Sequence, residues 1–244
     1  MRVTTALGKG FASLFATMKA VRPQRPIHPD GVWLTGTLTR TGPPVSSGIS
    51  WIDGTGQDPI QARLSRSVGL PRWSPDILGL ALRVPHGSDH FDVLLASTGA
   101  SFPARFVLLP QRNVQAAKFT SMMPYKGGKS AVLLAAFPLD PSGRMPATPA
   151  GLRVGLAKRP LELALCFSRP LGDWTRFGTL VLTLEELEPV LVARGGDPTG
   201  LRFDPVRRPL PGSETYAWTR ALREPSYAEA RVAPGHALPG SDSR

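Results

Sequence analysis

Arg223 and Tyr227 stand four positions apart in Arg223-Glu224-Pro225-Ser226-Tyr227, so on a helical path they project from one face. A guanidinium beside a phenol hydroxyl favours the phenolate, because a nearby positive charge lowers the pKa of an acid. Tyrosinate is an axial ligand for ferric haem. The same spacing also describes an ordinary surface pair. Upstream, Arg25 and His28 sit in a proline-rich stretch, where His28 is either a proton carrier or a partly exposed loop histidine. Arg63 and Ser65 share one face of a candidate strand with Gln61, and period two equally explains that face as open to solvent. His86, Asp89 and His90 are metal-ligand types, but Gly87-Ser88 between them marks a turn and not a helix face. Tyr125-Lys126-Gly127-Gly128-Lys129-Ser130 ends like a phosphate loop, yet Met123 stands where that loop needs its first glycine.

The elements that must position these residues are mostly strands. Arg22–Gly31 is too proline-rich for a helix and should run extended into a strand at Val32–Thr39. After a Gly/Pro/Ser loop over Thr41–Asp58, Pro59–Ser65 alternates Ile60, Ala62 and Leu64 against Gln61, Arg63 and Ser65. Asp76–Val84 and Phe91–Thr98 read as further strands around a hairpin turn at Pro85–His90. From Phe102 to Ser130 the pattern turns helical and irregular, broken by Pro103, Pro110 and Pro124. Strands are predicted again at Ala131–Leu139, Gly151–Ala157, Leu161–Ser168 and Gly178–Leu184, then a helix at Glu185–Arg194 closed by Gly195-Gly196. No repeat of solenoid or propeller period occurs.

Composition agrees with a β-rich chain. Its 244 residues are 41% hydrophobic, enough for a sizeable core, and its 26 prolines and 25 glycines suit short strands joined by turns. The single cysteine, Cys166, excludes a disulfide framework and reads as a buried thiol. The net charge of +11 comes mostly from scattered arginines. No nucleic-acid motif accompanies them, so specific nucleic-acid binding is not expected. No apolar run approaches the ~18–20 residues of a membrane span. The stretch Phe11–Met18 reads as part of an amphipathic helix and not as a signal peptide, so no stable membrane insertion is expected and the cytoplasm is the expected compartment. The domain reading is an N-terminal helix or arm over 1–21, one domain over 22–232, and a disordered tail over 233–244.

The order of short motifs carries a resemblance. Arg25-x-x-His28, Arg63-x-Ser65, Asp76-x-x-Gly79, Phe203-Asp204-Pro205 with Pro211-Gly212, and Arg223-x-x-x-Tyr227 follow one another as in the haem catalases. Phe177–Leu182 after Asp173-Trp174 likewise resembles the last barrel strand of that family. The resemblance runs from about Arg25 to Tyr227. It implies an α+β fold: a catalase-type antiparallel eight-stranded β-barrel with a helical insertion between strands 4 and 5 and a C-terminal wrapping segment with helix. The long arms and carboxy-terminal helical domain of full-size catalases have no counterpart, so arm exchange is not implied and homo-oligomerisation stays open.

The resemblance implies a haem b cofactor with Tyr227 as axial ligand, stabilised as phenolate by Arg223. His28 would be the distal acid–base residue, Ser65 would fix its ring, and Arg25 and Arg63 would meet the propionates. Catalases carry an asparagine on the fourth strand that helps polarise peroxide; alignment from Asp92 places Ser97 there. Serine has a shorter reach and no amide N–H, which favours a peroxidase-like role over fast dismutation. The implied partners are hydrogen peroxide or an organic hydroperoxide and a small organic donor. Three other readings remain: a catalase-fold protein without haem that binds another small ligand in the barrel, a haem enzyme with a specialised substrate, and a basic interaction protein.

Overall fold

The computed structural model describes residues 30–128, 130–185 and 203–219. The chain divides into two compact units, Gln24–Tyr216 and Met1–Pro23 with Ala217–Arg244. The expected N-terminal helix, the Glu185–Arg194 helix, the C-terminal tail, and Arg25, His28, Arg223 and Tyr227 lie outside the described residues.

Alternating apolar and polar residues build the longest ladder first. β1 (Asp30–Thr41) and β2 (Thr55–Arg66) pair antiparallel along their whole length, with Leu34 opposite Ala62 and Val32 opposite Leu64. β3 (Leu78–His86) joins β2, and β4 (Asp89–Thr98) folds back on β3 through the two-residue turn Gly87-Ser88. Gly87 has φ 61°, the left-handed conformation such a turn favours. Next come β5 (Lys118–Thr120), β6 (Tyr125–Lys126), β7 (Ala131–Pro138), β8 (Leu161–Ser168), β9 (Thr175–Leu184) and β10 (Glu214–Thr215). Antiparallel pairing in the order β1, β2, β3, β4, β5, β7, β8, β9 and back to β1 closes an eight-stranded barrel; β6 and β10 extend it as a side ribbon on β7.

Closure sends one face of every strand inward. Leu38, Leu82, Val93, Leu95, Leu134 and Leu165 are among the residues that fill the interior. The turn between β1 and β2 adds a plug. Asp53 accepts hydrogen bonds from Ser46 Oγ, Ser47 N and Oγ, and Gly48 N, folding the loop so that α1 (Ser50–Asp53) buries Trp51 and Ile52. Burial opposes ionisation of Asp53, but these hydrogen bonds outweigh it and hold the carboxyl below its usual range. A bulge at Leu165/Cys166 leaves Phe177 as the extra residue opposite, and its ring meets Trp51 edge-on at 5.8 Å. The space left at the centre is about 10 Å³, no more than one water needs.

Two expected elements differ. The predicted strand Gly151–Ala157 is helical, part of α2 (Pro149–Lys158). Thr148 Oγ1 caps it by accepting from Gly151 N, Pro149 supplies a rigid first turn, and Leu152 and Leu156 are buried on one face. Val154, which made the stretch look alternating, is 59% exposed. The missing barrel strand is β5, three residues inside the segment expected to be helical. The 4–5 connection holds only two single-turn 3-10 helices, Ala104–Phe106 and Val114–Ala116.

The β1–β9 seam is the tightest part of the wall. A Cβ at Gly36 would overlap the carbonyl oxygen of Val181, and one at Gly178 would come within 2.7 Å of Thr39 O. Gly36→Ala is expected to lower the unfolding free energy by about 1–3 kcal/mol in urea titration, since backbone and not a side chain must move.

Candidate functional site

The inner face is filled, so groups able to meet a ligand lie on the outer face, and β1–β4 carry the expected Arg63 and Ser65 there. Strand register lines them up in rows. Gly31 pairs with Ser65, Ser65 with Gly79, and Gly79 with Ala96. One step along, Trp33 pairs with Arg63, Arg63 with Ala81, and Ala81 with Leu94. One further step pairs Gln61 with Arg83 and Arg83 with Asp92. The first row is a low shelf with a single hydroxyl. Gly31, Ala81, Leu94 and Ala96 are half-buried, whereas Ser65 and Gly79 between them are buried.

Arg63 and Ser65 therefore do share one surface. Ser65 is buried and donates to Gly79 O at 3.4 Å. The Arg63 guanidinium carbon lies 5.6 Å from the Trp33 ring centre. A Cβ on Gly31 would lie 2.7 Å from that same carbon, so the glycine lets the guanidinium lie flat along the wall.

Ser97 does not join them. Its partner in the ladder is Phe119, and it shares the face of Leu95, opposite to that of Ala96. It is fully buried, its Oγ accepts from Leu78 N at 2.9 Å and donates to Leu109 O at 2.7 Å. Ser97 closes gaps in the main chain. The residue in Ser65's row is Ala96, which has no polar group, so the expected role of Ser97 is corrected: the period-two pleat makes a one-residue shift in alignment change the face.

A latch at the edge of this wall escaped the sequence reading. Arg83 Nε and Nη2 donate to Asp92 Oδ1 and Oδ2 at 2.9 and 3.0 Å, and Asp92 is fully buried. Asp92 Oδ2 also accepts from Asp204 N at 2.7 Å, and Asp92 N donates to Arg208 O at 3.1 Å. Phe203 is stacked on Trp33 at 6.0 Å and lies under the Arg83 guanidinium at 5.2 Å. The Phe203-Asp204-Pro205 motif is thus clamped onto β1, β3 and β4. Folding the sequence about Gly87-Ser88 would have exposed the pair, since that turn sets Arg83 opposite Asp92.

The turn histidine is occupied by an arginine. Arg208 Nη1 lies 2.7 Å from Asp89 Oδ1 and 2.6 Å from His90 Nδ1. Burial first, then nearby Arg83 and Arg208, hold the His90 pKa below its ordinary value. Among the described residues no cluster of His, Cys, Asp and Glu could hold a metal ion. On the far side of the barrel, Cys166 lies among Ala135, Ala164, Phe137 and Trp174, where burial pushes its thiol up to about 11.

The closed eight-stranded antiparallel barrel matches the catalase-type fold. Solved structures of catalases are similar to it. A fungal catalase is 14% identical, with TM-score 0.59 over 88% of this chain and 60% of its own. A bacterial catalase is 12% identical, with TM-score 0.57 over 89% of this chain and 58% of its own. The chain thus spans less than two thirds of the length of either. No protein-family model matches it, and no curated protein does. Among the described residues no helix is long and apolar enough to cross a membrane.

Two outcomes test this geometry. Asp92→Asn leaves Arg83 buried against a neutral partner and is expected to cost about 3–5 kcal/mol in urea unfolding, with faster hydrogen exchange over residues 203–208. Native Cys166 is expected to react with a thiol reagent at mildly alkaline pH on the order of a hundredfold more slowly than in the urea-unfolded chain.

Proposed function

We propose that the protein is a haem-dependent, peroxidase-like oxidoreductase acting on hydrogen peroxide or an organic hydroperoxide, with haem b held by residues at the outer wall of β1–β4. The observation that carries the reading is the row Gly31, Ser65, Gly79 and Ala96, in register on a catalase-type barrel with Arg63 beside it. The residues present fit the group. Small side chains leave a flat wall, and a Cβ at Gly31 would displace Arg63, a cation suited to a carboxylate. The latch on Phe203-Asp204-Pro205 fixes the start of the segment that leads in sequence to Arg223 and Tyr227.

Bound haem would supply the redox chemistry that cleaves the peroxide O–O bond. The other roles belong to the chain. Tyr227 would ligate the iron as phenolate, and Arg223 would keep it ionised. His28 would take a proton from the near peroxide oxygen and return it to the leaving one. Ser65 would orient the imidazole, and Arg25 and Arg63 would hold the propionates. Ala96 offers the distal side no amide or hydroxyl, which supports donor oxidation over rapid dismutation.

The interior bears on the main alternative. With about 10 Å³ free among Leu38, Leu82, Leu134 and their neighbours, the centre of the barrel has room for no more than a water. His28→Ala is expected to lower peroxide turnover by about 10²–10⁴-fold at unchanged haem content. Ala96→Asn is expected to raise dismutation relative to oxidation of an organic donor. A His28→Ala protein with undiminished turnover would contradict the assignment.

A further inference from the structure

Between β2 and β3 the chain spends a buried ion pair on a surface loop. Arg66 is 2% exposed and Asp76 is 0% exposed; Arg66 Nε lies 3.4 Å from Asp76 Oδ2. Arg66 Nη2 donates to Leu70 O, Pro71 O and Ser74 O at 3.0–3.1 Å. Asp76 accepts from Val68 N and Leu70 N, each at 3.0 Å. Burying two charges is costly even when they are paired. What the pair holds out is Trp73, 78% exposed, with Leu70 37% exposed beside it. Folding alone gives no return on a rigid loop that presents a tryptophan to water.

The surroundings are cationic. Asp76 and Gln111 exchange backbone hydrogen bonds at 2.8 and 3.1 Å, and Ala147 N donates to Arg112 O at 2.9 Å. Three neighbouring segments thereby carry exposed Arg72, Arg112 and Arg144. Residues 67–75, 111–117 and 141–148 contain no Asp or Glu, and Asp140 at the edge of the third segment is paired with Arg159. The chain as a whole carries +11. Tryptophan settles at the headgroup level of a bilayer, and each arginine near an anionic leaflet adds attraction. Single-stranded nucleic acid would call for several aromatic platforms along a groove, and these segments hold only Trp73.

We propose that this loop and its arginines form a docking surface for an anionic lipid bilayer, with Trp73 inserted among the headgroups and Arg72, Arg112 and Arg144 facing the lipid phosphates and carboxylates. The contact is peripheral and salt-sensitive. None of these residues belongs to the wall of β1–β4, so the docking surface stands or falls apart from the haem reading.

The test is flotation of the full chain with vesicles of phosphatidylcholine and phosphatidylserine in a three-to-one ratio, beside pure phosphatidylcholine. Binding is expected to the anionic vesicles alone. Arg72→Gln and Arg112→Gln are each expected to weaken it about fivefold, and Trp73→Ala about tenfold. Brominated lipid is expected to quench the protein's fluorescence, with the quenching lost in Trp73→Phe while most of the binding stays. Equal affinity of Trp73→Ala and the wild type would overturn the proposal. So would failure to float with either vesicle, including the case where single-stranded RNA is retained at the same salt.

Discussion

The side-chain period of a strand is two, and a closed barrel turns that period into an inside and an outside with nothing between. Here the inside is filled. Leucines from β3, β4, β7 and β8 meet at the centre, and α1 seals it with Trp51. Everything that could meet a ligand must then stand on the outer face or in the segments laid over it. The same rule places Arg63 and Ser65 together and separates Ser97 from Ala96 by the thickness of the wall.

Two buried arginine–carboxylate pairs show how the outside is organised. Arg83 and Asp92 clamp residues 203–208 to β1, β3 and β4, and Arg66 and Asp76 shape the loop between β2 and β3. Neither pair is a cheap source of stability, because desolvation offsets much of their attraction. Both fix irregular backbone that has no ladder of its own. Each binds main-chain groups as well as its partner, so the charges are spent on position.

Much of this was legible in the sequence where the period was clean. Val32–Thr39 alternates roughly and Pro59–Ser65 cleanly, and they lie within β1 and β2, which extend beyond them, β2 starting inside the expected loop. The three-residue β5 is too short for any period to show, and its strand character comes from backbone pairing with β4 on one side and β7 on the other. Gly151–Ala157 alternated by accident, and the cap at Thr148 with Pro149 decided for a helix. Arg63 and Ser65 were found because they lie on one strand. The Arg83–Asp92 latch was missed because its meaning appears only once the hairpin is folded. The fold is that of catalases.

The most direct test is the ultraviolet–visible spectrum of protein purified from cells supplied with haem precursor, beside Tyr227→Phe and Ala96→Trp. A haem lying on the outer wall with a tyrosinate ligand predicts a strong Soret band at one haem per chain. That band should be shifted or lost in Tyr227→Phe and lost in Ala96→Trp, where an indole would occupy the shelf. A colourless wild type that also refuses added haemin would contradict the account, as would a haem spectrum that neither substitution alters.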